Sequence, residues 1–198
     1  MLPEWDAIFD DRTFAVFGQN LPPLSLGGLF LLQQIDSPLV SPGRPATADD
    51  VLLAVYLCAR PHEEARRALR SPDLVAEWAQ WGIQWGRQIG HDIAARAAAI
   101  EAECARFCDY LARWIRAPRR WRKSESAAGT KTPWVIFLVS ELRRHYGMTD
   151  AEAWALHCSK AFAYYAAICE GHGDKDLMTP TEAAQVDAIT AAAKAGAT

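Results

Sequence analysis

The sequence predicts a mainly α-helical fold: a helical bundle with one long central helix and a small N-terminal β-hairpin. Three observations carry that reading. Helix-start signals recur at Thr47, Thr149 and Thr179, each followed within three residues by an acid. One long stretch, from Pro72 to about Ala117, has no strong breaker other than glycine. A single short stretch, RTFAVFGQNLPPL, has a two-strand pattern.

In that stretch Phe14, Val16 and Leu21 alternate with other positions around Gly18-Gln19-Asn20, which predicts a hairpin over residues 12–24. Two short strands are marginal alone, so the hairpin must pack on something. Ser25 can cap a helix through Leu26, Leu29, Phe30 and Leu32, weakened by Gly27 and Gly28. DSPLVSPGRPATADD, with three prolines, is a loop. Thr47 caps the next helix, with Asp49 and Asp50 in its first turn. Its apolar body, Val51 to Arg60, belongs at the centre. Pro61 begins a new segment, and Ser71-Pro72-Asp73 is a further helix start.

If unbroken, the 72–117 helix would be roughly 65 Å long at 1.5 Å per residue. Gly82, Gly86 and Gly90 mark places where it can divide. Pro118 stops it, and SESAAGTKT separates a first helical part (25–123) from a second (133–192) within one domain. Pro133 opens a helix over 134–146 that Gly147 ends. Thr149 and Glu152 form a capping box for a helix over 150–170, and Thr179 to Glu182 starts a last short one. Gly171 is the expected cap where the loop Glu170 to Asp176 begins. The tail AAAKAGAT is expected to fray.

With 198 residues, just over half of them hydrophobic, one sizeable core is expected and wholesale disorder is excluded. A net charge of −3 sets up no global field for a polyanion. The acidic N-terminus lacks the order of a secretion signal, and no apolar run reaches the ~18 residues of a spanning helix. A cytosolic protein without a membrane role is expected. Its five cysteines (Cys58, Cys104, Cys108, Cys158 and Cys169) then read as reduced thiols.

Two constellations suit protein binding. Gly82, Gly86, Gly90, Ala94, Ala98 and Ala102 recur every fourth position, a ridge against which another backbone can approach closely. The approaching helix can belong to the same chain or to a second subunit, and the intrachain case is favoured. Trp78, Trp81 and Trp85 share one helical face. Such a stripe is usually core, so burial within the subunit is expected; if exposed it would be an anchor for another protein.

RWIRAPRRWRK, residues 113–123, suits nucleic acid. Arg113, Arg116, Arg119, Arg120, Arg122 and Lys123 could neutralise phosphates, with Trp114 and Trp121 positioned to stack on bases. The plainer reading is a basic helix C-terminus followed by a solvated loop. No metal site or cofactor is expected, since Cys104 and Cys108 lack C-x-x-C spacing and the acidic loop after Glu170 departs from the EF-hand pattern. No nucleophile–base pair, phosphate loop or metalloprotease motif is visible, so no catalytic residue is expected.

The order hairpin, LPPLSLGGLFLLQQIDSPLV, loop, DDVLLAVYLCARP resembles proteins from the tail gene clusters of tailed phages and prophages, those described as tail assembly chaperones. The residues concerned are Phe14 to Gly18, Leu21 to Leu24 and Val51 to Pro61, with the late phrase LMTPTEAAQVDAI. The resemblance implies a non-catalytic helical protein in a bacterial host cytosol. Its partners would be other tail or assembly proteins, with a homo-oligomer as a further option. The rival expectation is a nucleic-acid-binding accessory protein using residues 113–123.

Overall fold

The computed structural model describes residues 12–41, 43–89, 92–118, 133–173 and 178–195. Its elements are β1 (Phe14–Val16), β2 (Gln19–Leu21), α1 (Leu26–Gln34), α2 (Ala48–Cys58), α3 (His62–Ala68), α4 (Leu74–Gln88), α5 (Ile93–Trp114), α6 (Trp134–Tyr146), α7 (Asp150–Ala155), α8 (Cys158–Gly171) and α9 (Pro180–Ala195). The chain is mainly α-helical with an N-terminal hairpin.

The hairpin pairs Phe14 with Leu21, Ala15 with Asn20 and Val16 with Gln19. Its turn is therefore Phe17-Gly18, one to two residues earlier than expected, with Gln19 and Asn20 inside β2. Both turn residues have positive φ, 48° and 72°. That is the sign a two-residue hairpin turn of the primed type requires, and a bulky Phe there is unusual. Val16 and Leu21 are buried while Ala15 and Asn20 are exposed, so one face of the hairpin lies on the core.

Local signals set many helix ends. The Ser25 hydroxyl accepts from the Gly28 N–H at the start of α1. Thr47 and Asp50 form a reciprocal capping box on α2, and Thr149 and Glu152 another on α7. The Thr179 and Glu182 side chains bond each other's backbone N–H in the same way at α9. Arg44 holds both carboxylate oxygens of Asp50 at 2.7 and 2.5 Å, which keeps that carboxyl well below the usual range. Gly147, at φ 64°, ends α6 in the left-handed conformation.

Four expectations need correction. The 72–117 stretch is two helices: α4 stops at Gln88, and α5 restarts with the Asp92 carboxylate accepting from the Ala94 and Ala95 N–H groups. The division falls at the third anticipated place, where Gly90 itself lies outside the described residues. The 150–170 stretch is also two helices, α7 and α8. Between them Leu156 is extended, its carbonyl accepting from Leu26 N–H at 2.9 Å, while Cys158 N–H donates to the Leu24 carbonyl at 2.7 Å. This bridge to the entry of α1 takes backbone groups that a continuous helix would have used internally. The left-handed residue after α8 is Gly173 rather than Gly171. Finally, α9 runs sixteen residues, to Ala195, into the segment expected to fray.

The most enclosed helix is α1. Leu26, Gly27, Gly28, Leu29, Leu31 and Leu32 are all buried, and α2, α3, α6, α7 and α8 pack around it. One core runs through both helical parts. It joins Val16 and Leu21 to Val55 and Leu57 of α2, Phe107, Tyr110 and Trp114 of α5, and Leu138 and Leu142 of α6. No helix among the described residues is long and apolar enough to cross a membrane.

Candidate protein interface

α4 differs from every element around it, because none of its residues is fully buried. Trp78, Trp81 and Trp85 are half-buried against the edge of the core. The expected burial is thus only half realised. Trp85 lies edge-on to the ring of Phe17 at 4.6 Å and Trp81 at 6.3 Å, so the hairpin tip is what these two rings pack on. Phe17 is itself pinned from α5: its N–H donates to the buried Glu103 carboxylate at 2.6 Å, and Arg106 pairs with the same carboxylate. A second tie runs from the Tyr56 hydroxyl on α2 to Glu77 on α4. Burial and that carboxylate together raise the Tyr56 pKa.

This arrangement leaves a groove of about 530 Å³ between the first turns of α2, the length of α4 and the first half of α5. Trp78 and Trp85 form one wall, Leu52, Ile83 and Ile100 contribute apolar surface, and Phe17 reaches it from the hairpin. The volume is within the range of ligand and side-chain pockets. Trp81 points elsewhere, toward Gln19, Tyr56 and Arg60.

Two of the predicted glycines line the same groove. At Gly82 an added Cβ would meet Leu52 Cδ1 at 3.4 Å, an ordinary contact with α2. At Gly86 it would meet nothing within 4 Å among the described residues. Further along, Ala94, Ala98 and Ala102 are exposed. Apart from Gly82, which faces Leu52 of α2, the described members of the small-residue ridge do not pack along a neighbouring helix of the same chain. Its line is interrupted where α4 ends, and Gly82 and Gly86 hollow out the groove instead. The Gly86 carbonyl accepts from Arg96 at 3.2 Å, which ties α4 to α5 across the groove floor. Sequence reasoning missed Phe17, whose signal was a glycine preceded by an apolar residue, and Glu103, for which there was no signal because its partner is 86 positions away.

The basic segment is less suited to bases than its composition suggested. Trp114 is fully buried, so it cannot stack on a nucleotide. Arg113 is half-buried beside that ring, and Arg116 is exposed with its Nε–H donating to the Ala112 carbonyl. Arg119, Arg120, Trp121, Arg122 and Lys123 lie outside the described residues.

A smaller polar cleft of about 370 Å³ lies between α1, α3 and α7. His62 stacks on Trp154 there at 5.1 Å, and its burial lowers the imidazole pKa. Among the described residues no serine, threonine or cysteine lines this cleft. The Cys58 thiol is pushed up to about 12 by burial, and that of Cys158 well above its ordinary value. Neither forms the thiolate that nucleophilic chemistry needs near neutral pH. Among the described residues no three His, Cys, Asp or Glu side chains gather as a metal site would require. Comparison with protein-family models, curated proteins and solved structures finds no match to this chain.

Proposed function

We propose that the protein is a non-catalytic binding protein of phage tail assembly that captures another tail protein through the α2–α4–α5 groove. The observation that supports this best is the groove itself: an apolar channel walled by two half-exposed tryptophans and kept open by glycine. Tryptophan is enriched where protein interfaces concentrate their energy, and a surface of this kind is more useful to a partner than to the free chain. The tail setting comes from the resemblance carried by Phe14 to Gly18, Leu21 to Leu24 and Val51 to Pro61.

The test begins with the neighbouring genes, where tape-measure and tail-tube genes are expected. Co-expression of the chain with each neighbouring product should yield a soluble complex, and Gly86→Leu should abolish it. Leucine at this position fills the groove, yet the open space around Gly86 lets the monomer keep its fold. A complex equally strong with Gly86→Leu would remove the groove from the proposal. Retention on heparin that weakens steeply with salt would favour the nucleic-acid reading instead.

A further inference from the structure

We infer that, in the absence of another partner, the groove is covered by a second copy of this chain in a two-fold dimer. This rests on the reading of the groove as a protein-docking surface and names the occupant. The argument is charge complementarity. Most ionised groups around the groove are already engaged. Asp50 holds Arg44, Glu77 accepts from Tyr56, Glu103 pairs with Arg106, and Arg96 donates to the Gly86 carbonyl. Two groove-lining charges have no partner among the described residues: Arg87 on α4 and Asp49 in the first turn of α2.

An apolar channel that carries one unmatched cation and one unmatched anion on separate walls is complementary to itself. In a two-fold interface each patch meets the same patch. With the two-fold axis passing between the two walls, Arg87 of one copy faces Asp49 of the other, and the pairing occurs twice. Apolar surface accompanies the charges. Ile83, which lines the groove, is 58% exposed, Val75 near the start of α4 is 66% exposed, and Ile93 at the start of α5 is 86% exposed. These are side chains whose exposure a monomer does not need and which an interface core would remove from water.

The experiment is sedimentation equilibrium of the full chain alone across micromolar concentrations, with a thermal melt on each variant. Wild type is expected at twice the chain mass. Arg87→Asp and Asp49→Arg should each weaken the dimer by at least about tenfold, because each places like charges opposite one another. The double variant should restore it. Both side chains are on the surface, so the fold should survive. Ile83→Lys, a change at an exposed position, is the independent second probe and should also give monomer. A wild type that stays monomeric up to about 100 µM overturns the proposal. So does a dimer indifferent to single charge reversals, which would place the interface elsewhere. No tail protein is present in this measurement, so its failure leaves the capture reading to its own co-expression test. A failed capture, conversely, does not change the mass of the chain alone.

Discussion

Gly27 and Gly86 are both helical glycines, and they serve opposite ends. Gly27 lies in α1, where α3 comes so close that a Cβ would clash with the imidazole of His62 and stand 2.7 Å from its Cβ. Gly86 lies in α4, where a Cβ would touch nothing among the described residues. The first glycine is there because two helices approach closely, and the second leaves a cavity. The difference extends to the regions around them. The α1 hub is enclosed by five helices and buries most of its own residues, whereas α4 rests on the hairpin and α2 by half-buried rings. The residue type does not distinguish the two positions; the surroundings do.

The largest effect expected is in the hub-side core. Trp114 is fully buried in α5, and its carbonyl accepts from the buried Ser159 hydroxyl. Trp114→Ala should cost ~3–5 kcal/mol, a large share of a domain's stability, and denaturant titration would read it. Trp81→Ala, in the half-buried stripe, should cost clearly less. Equal losses would mean α4 is as tightly packed as the hub.

Next, one substitution should have opposite signs at the two glycines. Gly27→Ala overpacks the α1–α3 contact and should destabilise by ~1–3 kcal/mol. Gly86→Ala meets no obstacle and should stabilise by roughly 0.5–1 kcal/mol through helix propensity. Paired thermal melts decide this, and a shared sign would break the comparison.

The smallest effect is pH-dependent. The pKa of His62 is lowered in the folded chain, first by burial, from its ordinary 6.5. Below about 6.5 the unfolded chain binds this proton before the folded one does, so stability should fall as pH drops through that value toward the folded pKa. His62→Gln should flatten the change in melting temperature between about pH 7.5 and 5.5. An unchanged slope would assign it to other groups.

Glu103 shows why part of the candidate site was hidden. Nothing near it in the chain marks a carboxylate in α5 as the acceptor for a hairpin turn. Phe17 can hold a positive φ because that acceptor and the rings of Trp81 and Trp85 over-determine it. The tryptophan stripe and the glycines were legible as a set. Their conversion from a packed ridge into an open groove was not, since it depends on where α2 and α5 diverge from α4.

What the sequence determined by itself is what acts within a few residues: the mainly helical class, the caps at Ser25, Thr47, Thr149 and Thr179, and the stop at Gly147. A cap needs only a side chain and an N–H two or three positions on, so it forms wherever those residues occur. Only the tertiary structure decided where long helical runs divide and what their faces meet. The run after Thr149 breaks because Leu24 and Leu26 compete for its backbone at Leu156 and Cys158. A groove arises at Gly86 because, among the described residues, no other helix comes near enough to close it. Both outcomes depend on groups more than a hundred or only a few tens of residues away, which local pattern cannot register.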